Sequence, residues 1–372
     1  MMTPLTACAV TLLSILALKP VARRVGLVDH PGGRKTHTHQ TPLIGGIGMF
    51  LGLLSLALVS PQAFHAFLPL VATAALLLVV GVIDDYREIS ANLRLGVHLI
   101  AALLMIFWGG NQLTGMGDLL FFGPLMLGVL AIPVTLFAVA SAINAINMAD
   151  GVDGLCGGLV LIALGFMTLL AQDAGLVHAA QVLTVMLCCV AGFLILNFRF
   201  PWRQRALIFM GDAGSTVLGF VVAWMLIYLA ENGACSPVTV LWLIALPLLD
   251  TASVMVIRKR EGKSMFTPGR DHLHHHLLDA GLGVRKSVLV LCGLAATFGG
   301  IGLAGERSGV AEGVLFLGFM ATLTGYVAIM TKVQRAKTLR LEPVAAGAEP
   351  AATSAEPAAV ALKAASAEAM AQ

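Results

Sequence analysis

The sequence predicts an all-α fold: a polytopic transmembrane bundle of about eleven helices, with its chemistry-bearing loops on the cytoplasmic side. Hydrophobic residues make up 58% of the 372 and charged residues 12%. Mean hydropathy is +0.90, and apolar runs of about twenty residues, the length that crosses a bilayer as a helix, recur along the chain. Basic residues gather in alternate loops, as they do when a membrane protein fixes its orientation.

Each expected span has its own justification. The first, 2–20, has no Lys or Arg before it and no small-residue cleavage site after it, so it reads as a helix and not as a signal peptide. Spans two and three, 43–60 and 66–83, are uncharged, and the third ends at Asp84-Asp85. Span four, 93–109, begins with Arg94 and carries His98, which as a lone histidine in a span reads as a packed residue. Span five, 123–143, leads into Asn144, Asn147, Asp150 and Asp153, four polar side chains at a spacing of three. On a helical or 3₁₀ turn that spacing puts them on one face. Spans six to eight cover 155–171, 178–197 and 213–230, with Asp212 opening the eighth. Span nine, 238–257, holds Asp250 near its inner end, and spans ten and eleven cover 287–304 and 310–330.

On this assignment 22 of the 23 Lys and Arg residues fall in loops of one side, and only Arg307 falls on the other. That bias places the C-terminus in the cytoplasm and the N-terminus outside. The net charge of +3 is thus an orientation signal and does not point to nucleic acid. The six cysteines have no metal or redox spacing and read as reduced, small apolar residues. The domain organisation expected is one membrane domain, 1–331, and a disordered tail, 332–372, which becomes Ala-, Glu-, Pro- and Ser-rich after Arg340.

The patterned acids all fall on the cytoplasmic side: Asp84, Asp85, the Asn/Asp ladder, Asp212 and Asp250. Asp118, Asp173, Glu231, Glu306 and Glu312 on the outer side fit no pattern and read as solvated. Chemistry at one membrane face favours an enzyme joining a soluble substrate to a lipid. A cation or zinc transporter using the histidine-rich loop is the alternative. It predicts acids midway along spans, where Asp250 alone comes near. The loop 258–286 supplies Arg258-Lys-Arg260, then His272-Leu-His274-His275-His276. A dense cationic loop can simply orient the chain or touch anionic lipid. Four histidines in five residues can bind zinc or hold a diphosphate, and without a cysteine or second spaced pair the diphosphate is favoured.

Asp84-Asp85, Asn144-x-x-Asn147-x-x-Asp150-Gly-x-Asp153-Gly-Leu155, Phe209-Met-Gly-Asp212-x-Gly-Ser215 and His272-Leu-His274-His275 occur in the order found in polyprenyl-phosphate N-acetylhexosamine-1-phosphate transferases, and the chain resembles that family. The resemblance runs from Gly26-Leu-Val-Asp29, Arg34-Lys35 and Pro42-Leu-Ile-Gly-Gly46 to about Gly281. It implies a multi-pass protein of the bacterial inner membrane that transfers a sugar 1-phosphate, most often from UDP-N-acetylglucosamine, to undecaprenyl phosphate, releasing UMP. This would be the first membrane step of a surface glycan such as an O-antigen. The partners implied are the UDP-sugar, undecaprenyl phosphate and the lipid bilayer, with a homodimer by analogy.

The resemblance also assigns roles. Magnesium, with manganese as a substitute, is the implied metal. Asp212 is its expected ligand, because this hard ion takes one or two carboxylates plus phosphate and water oxygens. The alternative for Asp212 is a helix N-cap. Asp84 and Asp85 are linked to activating the lipid phosphate. As helix neighbours they point about 100° apart, so one would face phosphate or metal while a base such as Arg94 holds the other. Asn147, Asp150 and Asp153 are expected at the nucleotide and near the metal. His274 and His275 are shared with the phospho-muramoyl-pentapeptide transferases, and His272 marks the hexosamine branch. Lys35 and Arg258 are candidate diphosphate contacts, with orientation charge as the plain alternative. Asp250 is expected to order its helix by pairing with a nearby Arg.

Overall fold

The computed structural model describes residues 4–29, 40–263 and 269–346. Helix α1, Leu5–Val25, ends where Gly26 turns into the left-handed region and returns its N–H to Ala22. A two-residue strand, β1 (Val28–Asp29), pairs antiparallel with β2 (Thr41–Pro42). Then follow α2 (Gly45–Leu54), α3 (Leu56–Val59), α4 (Pro61–Ala66), α5 (Leu68–Tyr86), α6 (Ala91–Phe107), α7 (Ala131–Met148), α8 (Leu155–Asp173), α9 (Val177–Asn197) and α10 (Gly211–Glu231). The chain continues through α11 (Pro237–Leu243), α12 (Ala245–Arg260), α13 (Leu273–Asp279), α14 (Val284–Arg307) and α15 (Glu312–Ala346).

Every expected span is met by helix, and the chain is a multi-pass membrane protein. Among the described residues eight helices are long and apolar enough to cross a bilayer, and a ninth is if α11 and α12 count as one. Those two meet at an 82° bend. Pro247 explains the break, since it has no N–H to return to Leu243 and its ring crowds that carbonyl. Segments 45–59 and 91–107 are shorter apolar helices. The fifth span starts at Ala131 and not at 123, because Gly123, Pro124 and Gly128 interrupt the apolar run. Residues 114–127 instead form a hairpin closed by Met116 N–H to Leu125 O and Leu127 N–H to Thr114 O.

The bundle is one compact unit through Ala328, and Ile329 begins a second. α15 runs to Ala346, past the point where the tail was expected to begin, because Lys332–Glu342 contains neither Gly nor Pro.

Helix α10 is the axis of the bundle. It is apolar on all sides and buried along nearly its whole length. Lipid gives helices little hydrophobic reason to associate, so close backbone contact has to come from small residues. A Cβ on Gly46 would lie 2.4 Å from Gly214 Cα, and one on Gly81 2.3 Å from Ala213 Cα. α2, α5 and α10 therefore touch backbone to backbone just where α5 and α10 carry their acids.

The acids expected to be solvated also act as ties, with Asp173 and Glu231 exposed while they do so. Glu231 accepts from Thr114 N–H and its hydroxyl at 2.8 and 2.7 Å. Glu306 accepts from Ser236 N–H and the Thr239 hydroxyl, Asp173 pairs with Arg307, and Glu312 receives Asp118 N–H. Loop N–H groups beyond the helix ladders need acceptors, and Glu231, Glu306 and Glu312 supply them.

Candidate active site

At the end of the bundle opposite these ties, a cavity of about 420 Å³ is lined by Asp29, Asp84, Asp85, Asp150, Asp153 and Asp212 together with Glu88. Arg199, Arg270 and His275 face the same space. Among the described residues, seven carboxylates against two guanidiniums line it, a lining rich in negative oxygen donors.

The floor is set by the start of α10. Gly211 has φ +78°, and a Cβ there would come within 2.4 Å of an Asp85 oxygen. Asp85 Oδ1 accepts Asp212 N–H at 2.6 Å and Oδ2 accepts Ala213 N–H at 3.2 Å. Asp85 thus caps α10 from a neighbouring helix, satisfying donors its own ladder leaves free. Its neighbour Asp84 turns elsewhere, with Arg94 Nε at 2.9 Å and Ile89 N–H donating to Oδ1 at 2.9 Å. The expectation that a basic residue such as Arg94 holds one of the pair is met. Both acids are engaged, however.

The polar ladder is divided by the helix end. Asn144 folds back onto Ala140 O at 2.8 Å and takes no part. Asn147 Nδ2 donates to Asp212 Oδ1 at 2.9 Å and to Ser215 Oγ at 2.8 Å. α7 then stops at Met148, and Gly154 at φ +83° opens α8 with Phe198 packed where a Cβ would stand. Between them Asp150, whose N–H returns to Asn147 O, lies in the cavity with no partner for its carboxylate among the described residues. Burial, with Asp212, Asp85 and Asp153 nearby, pushes its carboxyl well above the usual range. Asp153 receives Arg199 Nε at 2.7 Å and Ala206 N–H at 3.3 Å.

The histidines sit on α13 at the edge of the cavity. Asp250 accepts Leu273 N–H at 2.9 Å, meets His272 Nδ1 at 2.8 Å and receives the Tyr326 hydroxyl at 3.0 Å. It orders the helix as expected, but its partners are a histidine and a tyrosine and not an arginine, since α13 packs its N-terminus against α12. His272 is stacked on His274, whose Nε2 stands over Gly151. Burial, then His275 and His272, lowers His274 to about 3, and burial, then His272 and Arg270, lowers His275 to about 4. Both are neutral at pH 7. Of the three, His275 alone lines the cavity.

Arg258 is 5% exposed and turned to Asp271 at 3.1 Å, so it braces the loop before α13. Lys35 lies outside the described residues. Sequence reasoning passed over Arg199, Asn197 and Arg270. Asn197 had a visible signal, an amide closing an otherwise apolar span; it ties Gly154 N–H to Ile208 O. Arg199 and Arg270 looked like every other inner-loop cation.

No three His, Cys, Asp or Glu side chains among the described residues are arranged to hold an ion by themselves. Magnesium does not need such a cage, because it keeps waters and substrate phosphate oxygens beside one or two carboxylates. Unpartnered Asp150 and cavity-facing Asp212 suit it.

Residues 67–230 match glycosyl transferase family 4. Proteins named undecaprenyl-phosphate alpha-N-acetylglucosaminyl 1-phosphate transferase from Yersinia pestis, Escherichia coli (strain K12) and Haemophilus influenzae are 39%, 36% and 36% identical to this chain. The matches cover 79%, 85% and 87% of it and 80%, 87% and 92% of the relatives. The chain belongs to glycosyl transferase family 4. Within the family match lie Asp84, Asp85, Asn147, Asp150, Asp153 and Asp212, while Asp29, Arg270 and His275 reach the family-4 cavity from outside it.

Proposed function

We propose that this chain transfers N-acetylglucosamine 1-phosphate from UDP-N-acetylglucosamine to undecaprenyl phosphate, yielding the lipid-linked diphosphate sugar and UMP, as the first membrane step of a surface glycan. The observation that carries the reading is the acid-lined cavity at one end of the spans, in a chain 39% identical over 297 residues to a relative named for this activity. The bias of 22 among 23 basic residues supports a bacterial inner-membrane protein with this cavity and the C-terminus in the cytoplasm and the N-terminus outside.

An oxygen of the acceptor phosphate attacks the sugar-bearing phosphorus of the donor. One phosphorus–oxygen bond forms there, the bond to the bridging oxygen breaks, and that oxygen departs on UMP. The acceptor, a phosphate monoester with a second pKa of about 6, is already mostly dianionic at neutral pH, so no strong base is required. Catalysis then rests on positioning and charge neutralisation. Because Asp84 and Asp85 are both held by N–H groups or Arg94, direct attack fits better than a covalent aspartyl intermediate.

Asp212, oriented by Asn147, and Asp150 are the residues that would hold magnesium, or manganese in its place. When bound there, the ion would supply neutralisation of the diphosphate charge. His275 and Arg270 supply donors to the diphosphate from the α13 side, and the Asp153–Arg199 pair faces the nucleotide. His272, His274 and Arg258 hold α13 and its loop in register.

Purified full-length protein, given labelled UDP-N-acetylglucosamine, undecaprenyl phosphate and magnesium, is expected to form labelled lipid that is lost on chelation. No labelled lipid from this donor or from other UDP-sugars overturns the reading.

A further inference from the structure

The loop between α9 and α10 carries a surface that the transfer reaction does not use. Trp202 is 81% exposed and stacks on Phe200 with ring centroids 4.9 Å apart and planes at 12°. Arg203 braces the pair from behind, its guanidinium 5.2 Å from the Phe200 ring while Nη2 donates to Ile195 O in the last turn of α9 and to Phe198 O just past its end. A tryptophan held this rigidly toward the outside, five residues past the end of an apolar span, sits at the level where indoles favour the boundary between headgroups and acyl chains.

The loop 199–206 and the end of α1, 19–25, carry cations and no acid of their own. Arg205 is exposed in the same loop and within electrostatic reach of Lys19, as is Arg23 on the next turn of α1. Arg23 and Arg24 close α1, another span, at the same end of the bundle. Two spans thus present cations and an aromatic ring together at one membrane edge. The loop is also short and fixed at both ends to one catalytic-site acid: Arg199 Nε and Ala206 N–H both reach Asp153 Oδ2.

We propose that the Trp202–Arg205 loop and the end of α1 form a binding site for the headgroup of an anionic phospholipid, and that occupancy steadies the Asp153–Arg199 contact in the cavity. The indole lies at the acyl boundary, and Arg205, Arg23 and Lys19 meet the lipid phosphate. Each such cation contributes about fivefold to selectivity for anionic over zwitterionic lipid. The effect on turnover rests on the transferase reading; the binding does not.

The test uses the full chain in nanodiscs of phosphatidylcholine carrying a small share of lipid brominated near the headgroup. The Trp202 signal is the difference between wild type and Trp202→Phe. Brominated phosphatidylglycerol should quench it several-fold more than brominated phosphatidylcholine at equal content, and Arg23→Gln with Arg205→Gln should erase the preference. In the same discs, unbrominated phosphatidylglycerol should raise turnover of wild type and not of the double variant, with both equal in phosphatidylcholine alone. Equal quenching by the two lipids would reduce the cations to orientation signals and overturn the proposal, as would absence of quenching. Displacement of brominated phosphatidylglycerol by equimolar undecaprenyl phosphate would overturn it too, by giving the site to the acceptor. Selective quenching without any turnover in any disc would sink the transferase reading and leave the lipid site standing.

Discussion

Asp85 on α5 accepts the backbone N–H of Asp212 on α10 at 2.6 Å, so one acid sets the position of the other. Two carboxylates that would repel in isolation are joined because one presents its oxygens and the other its peptide N–H. The arrangement explains why α5 and α10 approach through Gly81 and Ala213 and why Gly211 stands between them.

Asp85→Ala removes the cap and frees the start of α10. Caps of this kind contribute about 1 kcal/mol, so thermal unfolding in detergent should move to lower temperature as turnover falls. Asp85→Asn keeps one acceptor oxygen and should unfold closer to wild type. Were Asp85 a free nucleophile, both variants would lose activity with no change in stability.

Gly211→Ala puts a Cβ 2.4 Å from an Asp85 oxygen on a residue with φ +78°. The cap and the Asp212 carboxylate must then shift, and turnover should fall at least about tenfold, as misplacement by an ångström does at other sites. Gly165→Ala, with nothing within 4 Å of the new atom, is the control and should leave turnover unchanged.

Tyr326→Phe deletes the hydroxyl that donates to Asp250 Oδ1, at a cost of about 1 kcal/mol. Asp250 also holds His272 and the start of α13, so kinetics should show a modest rise in KM for the UDP-sugar. Asp250→Asn disturbs two of those contacts and should raise it further. An unchanged KM in both variants would detach α13 from substrate binding.

Burial holds His274 at about 3 and His275 at about 4, with neighbouring cations and imidazoles adding to it. In the unfolded chain both titrate at about 6.5. Above that value neither affects stability. As pH falls below it the unfolded chain takes up protons that the folded chain refuses until about 4 and then 3. Stability therefore declines toward acid, by about 1.4 kcal/mol per pH unit for His274. Thermal midpoints measured across this range should slope accordingly, and His274→Gln should lessen the slope.

Much of this was legible in the sequence because membranes leave few options. Apolar length gives the helices, and loop charge gives their alternation. The acids of α5, α7 and α10 declared themselves by sitting at span ends, and they meet in one cavity. Partners were harder to read. Nothing in the pair Asp84-Asp85 says that one faces Arg94 and the other two peptide N–H groups, since that depends on how α5 packs on α10. The Asn/Asp spacing of three suggested one face, but the chain leaves the helix at Met148 and separates Asn144 from the rest. Asp250 was expected to meet an arginine, because no local pattern connects it with a tyrosine 76 residues later. The bend between α11 and α12 had a visible cause in Pro247, hidden by the even hydropathy around it.

The most direct test of the central claim compares wild type with Asp212→Asn, two proteins that should unfold at similar temperatures because the backbone N–H that Asp85 accepts is retained. UMP and labelled lipid are measured together from UDP-N-acetylglucosamine and undecaprenyl phosphate with magnesium. The account predicts equal amounts of the two products from wild type and a loss of at least about a hundredfold in the variant, the scale on which a single electrostatic group at a reacting centre acts. Wild-type turnover by Asp212→Asn would contradict the placement of the reaction in this cavity.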